Sequence, residues 1–301
     1  MLLTAGRTAD GQAVAILPLY VARARPLRVV RFLGHGISDE LGPVFDARNG
    51  SAGITALRQA LEAPAWDWDV FLGDLMPGNE HWSALLAGKE IRREASPVLR
   101  IGGRTWDDFL ASRSGNFREQ GRRRERKLAR EHNLRYRLAD SDSLEEDFET
   151  LLRLHRARWA EQDTTDFIET RDFQWDFALQ ALERGWLRLW VMEIDDRPVA
   201  AWYGFRFGDA ECYYQAGRDP EWDGYSVGFV ILAHTIREAF NDGLEEYRLL
   251  RGGESYKDRF ASGGDELQTV VVCRGVAARA AFALASAMPS RGKDLVTSLV
   301  R

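Results

Sequence analysis

At 301 residues the chain is long enough for two ordinary domains, and 45% hydrophobic with 29% charged residues is a globular composition, unlike that of a disordered or fibrous chain. A formal net charge of −5 argues against nucleic-acid binding over the whole surface, although a local basic patch can still bind. No apolar run approaches the ~20 residues that span a bilayer and no signal-peptide start is present, so the expected compartment is the cytoplasm.

GQAVAILPLYV at 11–21 alternates as a strand does, and LRVVRFLG at 27–34 follows at hairpin distance, so the two are predicted to pair. GHGISDELGP reads as a loop. ITALRQALEA at 54–63 has apolar residues at helical spacing and stops before Pro64, and WDVFLGDL at 68–75 reads as a buried strand. The hairpin begins only about ten residues in, without room for the helices that open the second half. This first half also lacks a glycine pair after its strand, so its expected role is structural, one wall of a shared cleft.

SGNFREQGRRRERKLAREH at 114–132 comes next, with Arg118, Arg122, Arg123, Arg124, Arg126, Lys127 and Arg130 against Glu119, Glu125 and Glu131. The basic excess runs around most of a helix. It can be a solvated helix, a clamp through Arg122, Arg123 and Arg126 on an anionic substrate or on cofactor phosphates, or a contact with RNA or an anionic membrane surface. Aromatic residues are not interleaved with the basic ones, which argues against a base-stacking groove.

SLEEDFETLLRLHRARWAEQ at 143–162 is predicted as a helix opened by a Ser143–Glu146 capping box, with His155 packing on its apolar face. TRDFQWDFALQALERGW at 170–186 gives a second helix, capped by Thr170 and stopped at Gly185. LRLWVMEI, PVAAWYGFRF and AECYYQAG follow as three strands joined by the turns DDR and GDA. Cys212 and Cys273 are the two cysteines, both in strand-like runs, so buried thiols are expected and no disulfide framework.

Beyond AECYYQAG, DPEWDG is a turn, Val227 to Phe240 a helix stopped by Gly243, and EYRLLRGG a short strand opening into a glycine pair. Strand, helix and strand form a βαβ crossover whose helix starts beside Gly224 and Gly228. A helix N-terminus with nearby glycines can hold the phosphates of a nucleotide-tailed cofactor, and Arg218 can either reach them or be a surface arginine. The strand-helix-strand order repeats the one in the first half at roughly 180 residues, which suggests duplication. After Cys273 the tail reads as one more helix broken near Pro289. The expected division is 1–112, a basic helical linker at 113–137, a second domain at 138–275 and a tail at 276–301.

RGGESYKDRF at 251–260 and RRRERKLAREH at 122–132 resemble runs of the Gcn5-related N-acetyltransferase (GNAT) superfamily, more closely its CelD/BcsL-like, or BioF2-like, branch. The resemblance implies tandem GNAT-like acyl-CoA N-acyltransferase domains, α/β with mixed sheets flanked by helices, the first copy incomplete. It implies acetyl-CoA or another acyl-CoA as co-substrate, held by Arg218, Gly224, Tyr225, Ser226, Val227 and Gly228. It also implies a small-molecule or glycan-precursor acceptor, as in polysaccharide or envelope biosynthesis.

Acyl transfer from a thioester needs a donor to the departing thiolate and an acceptor that loses a proton, with no covalent enzyme nucleophile. Tyr256 is the candidate acid, Lys257 can bind an acyl oxygen or an acidic acceptor, and Glu254 can act as base or orient an amine. The competing reading of these residues is a turn pinned by packing and a salt bridge of Lys257 to Asp258 or Glu254. No metal-ligand spacing, Gly-x-Ser-x-Gly elbow or Walker loop is present. Two rivals stay open: a Fem-like transferase taking its acyl group from a charged tRNA, and a non-catalytic assembly module of the same fold.

Overall fold

The computed structural model describes residues 2–7, 11–24, 27–46, 48, 51–63, 67–159 and 165–287. The chain divides into two units, Met1–Ala95 with Asp265–Arg301, and Ser96–Gly264. The first unit opens with β1 (Leu2–Arg7), β2 (Ala13–Ala24) and β3 (Leu27–Phe32), an antiparallel meander. A two-residue strand, β4 (Val44–Phe45), adds to β2. Helix α1 (Ala52–Glu62) then crosses over to β5 (Val70–Pro77), which runs parallel to β3. Ala56, Leu57, Ala60 and Leu61 form the buried stripe of α1, against a core that includes Leu17, Leu19, Phe32 and Phe71. After the short α2 (Trp82–Leu85), β6 (Lys89–Arg100) carries the chain into the second unit.

There α3 (Trp106–Ala111) and α4 (Gly115–Glu131) precede β7 (Leu134–Leu138), α5 (Leu144–Arg158), α6 (Asp166–Glu169) and α7 (Arg171–Glu183). Strands β8 (Leu187–Ile194), β9 (Arg197–Phe207) and β10 (Ala210–Arg218) continue antiparallel from β7. A 3-10 turn at Pro220–Tyr225 leads into α8 (Val227–Asn241) and then β11 (Glu246–Arg248), parallel to β10. The end of β6 closes this sheet, Val98 to Arg100 lying antiparallel to β11. Past α9 (Ser255–Asp258), β12 (Gly263–Cys273) returns to the first unit and pairs antiparallel with β5, followed by α10 (Gly275–Ala287). Among the described residues no helix is long and apolar enough to cross a membrane.

Each unit is therefore an antiparallel meander, a crossover helix, a parallel strand and a closing antiparallel strand. That is the tandem α/β architecture with mixed sheets expected from the sequence. The meander of the second unit has four strands and is covered by α5 and α7, which have no counterpart among the described residues of the first, so the first copy is the smaller. Strands β1, β4, β6 and β7 are additions to the sequence reading, β7 falling at the end of the expected helical linker, and β12 extends the strand-like run expected around Cys273. The expected break near Pro289 lies outside the described residues.

Two caps differ from expectation. Ser143 makes no side-chain cap to α5; its Oγ accepts the Asp140 N–H, while the Asp140 carboxylate accepts the N–H groups of Asp142 and Ser143. Thr170 likewise makes no cap, because its hydroxyl donates to the Asp166 carbonyl. A local hydrogen bond within the preceding turn outcompetes the cap in both cases.

Helix α5 lies unusually close to β10 at Gly217, where a Cβ would come 2.4 Å from the His155 backbone nitrogen and 2.5 Å from the Leu154 carbonyl carbon. Backbone cannot yield as a side chain can. Gly217→Ala is expected to lower stability by about 1–3 kcal/mol in a denaturant titration, without loss of folding.

His155 on α5 and His234 on α8 are both buried. Burial lowers each to about 4 from the ordinary 6.5, helped by nearby arginines, although a hydrogen bond of His155 to the Ala216 carbonyl opposes the shift. The unfolded chain takes up these protons near pH 6.5 and the folded one only near 4, so stability is complete above the window and falls as pH drops through it. A shift of this size is worth on the order of 3 kcal/mol per histidine. His155→Gln should flatten the slope of unfolding free energy between pH 6.5 and 4.5, measured by denaturant titration.

Candidate functional site

The parallel contact between β10 and β11 covers three residue pairs, Ala210 with Glu246, Glu211 with Tyr247 and Cys212 with Arg248. β11 then ends. Leu249 hydrogen-bonds the Pro97 carbonyl, and Leu250 turns the chain aside in the left-handed region at φ 54°. The rest of β10 loses its neighbour on that edge. It also slips register against β9 at Tyr214, which advances the residues beyond it by one position. A cavity of about 390 Å³ lies here, lined by Tyr213, Ala216, Gly217 and Arg218 of β10 and by Ser226, Gly228, Phe229, Ile231 and Leu232 at the start of α8. Arg158 from the end of α5, Asp223 and Tyr256 complete its wall.

Helix α8 begins at Ser226, itself in the left-handed region at φ 57°, ψ 45°, and the Ser226 side chain makes no capping bond. Its carbonyl accepts the N–H groups of Phe229 and Val230, and its own N–H is bonded to the Asp223 carbonyl. The orphan first-turn donors are those of Val227 and Gly228. A Cβ at Gly228 would meet the Arg218 Cδ at 3.4 Å, and one at Gly224 would meet nothing within 4 Å, so both glycines leave the backbone open. Over the ring of Phe229 stand two guanidiniums, Arg124 at 4.9 Å and Arg259 at 5.5 Å. Burial and the charge of Arg259 lower the pKa of Arg124.

Tyr256 is half-buried, packed against the core. Its phenol interacts with Tyr213 and with the Arg158 guanidinium. Burial first, then Tyr213 and the Glu254 carboxylate, push Tyr256 well above the ordinary tyrosine range, with Arg158 acting in the other direction. The hydroxyl therefore stays protonated at any working pH and is a proton donor, not a base.

Of the sequence candidates, Tyr256, Arg218, Ser226 and Gly228 meet at this cavity. Arg218 is ion-paired with Asp223 at 2.5 and 3.2 Å. Lys257 is buried, with Nζ 3.1 Å from Glu254 and donating to the Arg251 carbonyl, which is the turn-pinning arrangement, here with Glu254 as partner. Val227 faces the core, and Tyr225 packs toward α4 with its hydroxyl 3.3 Å from Glu131. Arg122 pairs with Asp107 at 2.9 Å and Arg123 with Glu119 at 3.3 Å, while Arg126 donates to the Arg122 carbonyl. These three line no part of the cavity. Arg158 and Tyr213 were not singled out from sequence; the alternation in AECYYQAG marks Tyr213 as one face of a strand, but nothing local marks Arg158.

Residues 115–258 match the family described as acetyltransferase (GNAT) domain. No curated protein matches the chain by sequence. Among solved structures, the chain is similar to the C-terminal domain (DUF2156) of an Agrobacterium fabrum protein provisionally named a lysylphosphatidylglycerol synthetase, at 11% identity, with a TM-score of 0.62 over 93% of this chain and 86% of that one. It is similar to FemX at 11% identity, with a TM-score of 0.62 over 94% and 90%. The L-PGS of Bacillus licheniformis shares 10% identity, with a TM-score of 0.57 over 92% and 86%. At these identities the likeness is one of fold. The chain thus has the GNAT-type α/β fold, and residues 115–258, just under half of it, are similar to the GNAT acetyltransferase domain.

Proposed function

We propose that the second unit is an acyl-CoA-dependent acyltransferase of the CelD/BcsL-like (BioF2-like) type, passing an acetyl or longer acyl group to an amine or hydroxyl of a small-molecule or glycan-precursor acceptor. The observation that carries this reading is a protonated phenol, Tyr256, in the same cavity wall as the open first turn of α8. The orphan N–H groups of Val227 and Gly228 and the positive end of α8 bind the cofactor's pyrophosphate, with Arg124 and Arg259 adding positive charge nearby. The thioester then lies along the unpaired edge of β10. The acceptor nitrogen or oxygen attacks the thioester carbon, the carbon–sulfur bond breaks, and Tyr256 gives its proton to the leaving thiolate. The acceptor's proton passes to Glu254 or water and restores the phenol, so the products are the acylated acceptor and free CoA thiol.

The second reading is a Fem-like transfer from an aminoacyl-tRNA, favoured by the exposed basic face of α4, with Arg122, Arg123 and Arg126 positioning the nucleic acid. Calorimetric titration with acetyl-CoA separates the two. Micromolar binding supports the acyl-CoA reading, and no binding sinks it.

A valine at Gly228 has room for its Cβ but pushes its methyl groups into the cavity mouth. Gly228→Val is expected to weaken acetyl-CoA binding by at least about tenfold while the melting temperature holds, because the phosphates can no longer approach the backbone.

Tyr256→Phe keeps the ring and deletes the donor. Its kcat should fall on the order of 100-fold to 10,000-fold with little change in acetyl-CoA affinity, since the proton matters when thiolate charge develops. Thiol release measured beside the melting temperature checks this; full activity returns Tyr256 to a packing role.

A further inference from the structure

Acyl transfer as described leaves one charge in the cavity unused. Arg158 reaches the wall from the last turn of α5, and its guanidinium is held on one side by the Ala216 carbonyl, at 3.4 Å, and by the ring of Trp159, at 4.9 Å. Its other neighbours are the phenols of Tyr213 and Tyr256, neither of which is a carboxylate. The carboxylates nearby are already engaged: Asp223, which also lines the cavity, pairs with Arg218, and Glu254 pairs with Lys257. Among the described residues no carboxylate pairs with Arg158.

A half-buried guanidinium that no described carboxylate balances costs free energy in the empty protein, and that cost is recovered when an anion arrives. The geometry also suits one. A guanidinium offers paired donors to an oxyanion, and the Tyr213 hydroxyl beside it can donate as well, the Tyr256 proton serving the thiolate. The cavity has room for a small polar group in addition to the end of a thioester.

We propose that Arg158, with Tyr213, forms a pocket beside Tyr256 for an oxyanion on the acceptor, so that the acceptor is an anionic amine or alcohol bearing a carboxylate or a phosphate close to the atom that is acylated. This rests on the acyltransferase reading for the word acceptor, whereas the anion pocket itself rests on the cavity alone. The pocket fixes the acceptor by its charged end and leaves its nucleophile facing the thioester. Neutral amines of the same size leave Arg158 without a partner and bind less well, which makes Arg158 a specificity-determining residue.

The test is calorimetric binding of three product-like probes, N-acetylglycine, O-phosphorylated N-acetylethanolamine and the neutral N-acetylglycinamide, to the full chain. One or both anionic probes should bind the wild type at least about tenfold more tightly than the neutral one, the range of a charge-assisted hydrogen bond. Whichever anionic probe is preferred names the carboxylate or the phosphate. Arg158→Gln should bring the ratio close to one, and Arg158→Lys should keep part of it, with both variants checked for an unchanged melting temperature. If the glutamine variant does not fold, the wild-type ratio and the lysine variant decide. Equal binding of charged and neutral probes, no binding of either anion, or selectivity that survives in Arg158→Gln each overturns the pocket. A parallel titration with acetyl-CoA keeps the two readings apart: anion selectivity without CoA binding removes the acyltransferase and leaves the pocket, and CoA binding without selectivity does the reverse.

Discussion

The parallel contact between β10 and β11 ends after three residue pairs, and the site exists because it ends there. A longer contact would satisfy the edge of β10 from Tyr213 to Arg218 with backbone hydrogen bonds and fill the space now open. What stops it is local: Leu250, in a left-handed conformation that costs a leucine about 1 kcal/mol or more, turns the chain aside. The first unit repeats the device. β3 and β5 also pair over three residues, Val29–Val70 to Arg31–Leu72, and Leu75 follows at φ 49°. A left-handed leucine thus follows the short parallel pairing in both crossovers, two residues past the last pair in one and three in the other.

Element order was readable from the sequence because each element carries its own period. The apolar spacing of α1 and α8, and the alternation of β2 and β9, are set by which face meets the core, and those faces are where the pattern says. The crossover with its glycines was legible for the same reason. What stayed hidden depends on partners far along the chain. β6 reads KEIRREASPVLR, too charged in its first half to look like a strand, yet its last residues Pro97 to Leu99 find partners near 247–249 and at Ser262. Arg158 looks like one more basic residue closing a helix, and only the approach of Gly217, Tyr213 and Tyr256 gives it a different meaning.

Charge tells a similar story in α4. Seventeen residues with a basic excess suggest a clamp, but much of that charge is committed to structure. Glu125 binds Arg237 of α8 through two contacts at 2.7 and 2.9 Å and accepts the Tyr136 hydroxyl, while Phe117 and Leu128 are buried. Burial disfavours the Glu125 charge, yet Arg237 and Tyr136 hold its pKa below the ordinary value, so the contact stays ionic through neutral pH. The helix is a brace for α8 with a basic outer surface. Its cation nearest the chemistry, Arg124, acts together with Arg259 from the end of α9 across the ring of Phe229, and a run of letters does not reveal such a contact.

The path of the chain through β6 and β12 has a consequence for synthesis. The second unit is one continuous stretch, but the first is not: it is closed by β12, whose Thr269 donates to Asp74 across 195 residues of sequence. During translation β5 leaves the ribosome long before its antiparallel neighbour does, and its edge, with Phe71, Leu72 and Val70 on it, waits exposed while all of the second unit is made. The second unit has β6 in hand from the start and can complete its sheet as soon as β11 emerges. Folding order is thereby inverted relative to the direction of synthesis, and the early half of the nascent chain is the one in need of a chaperone.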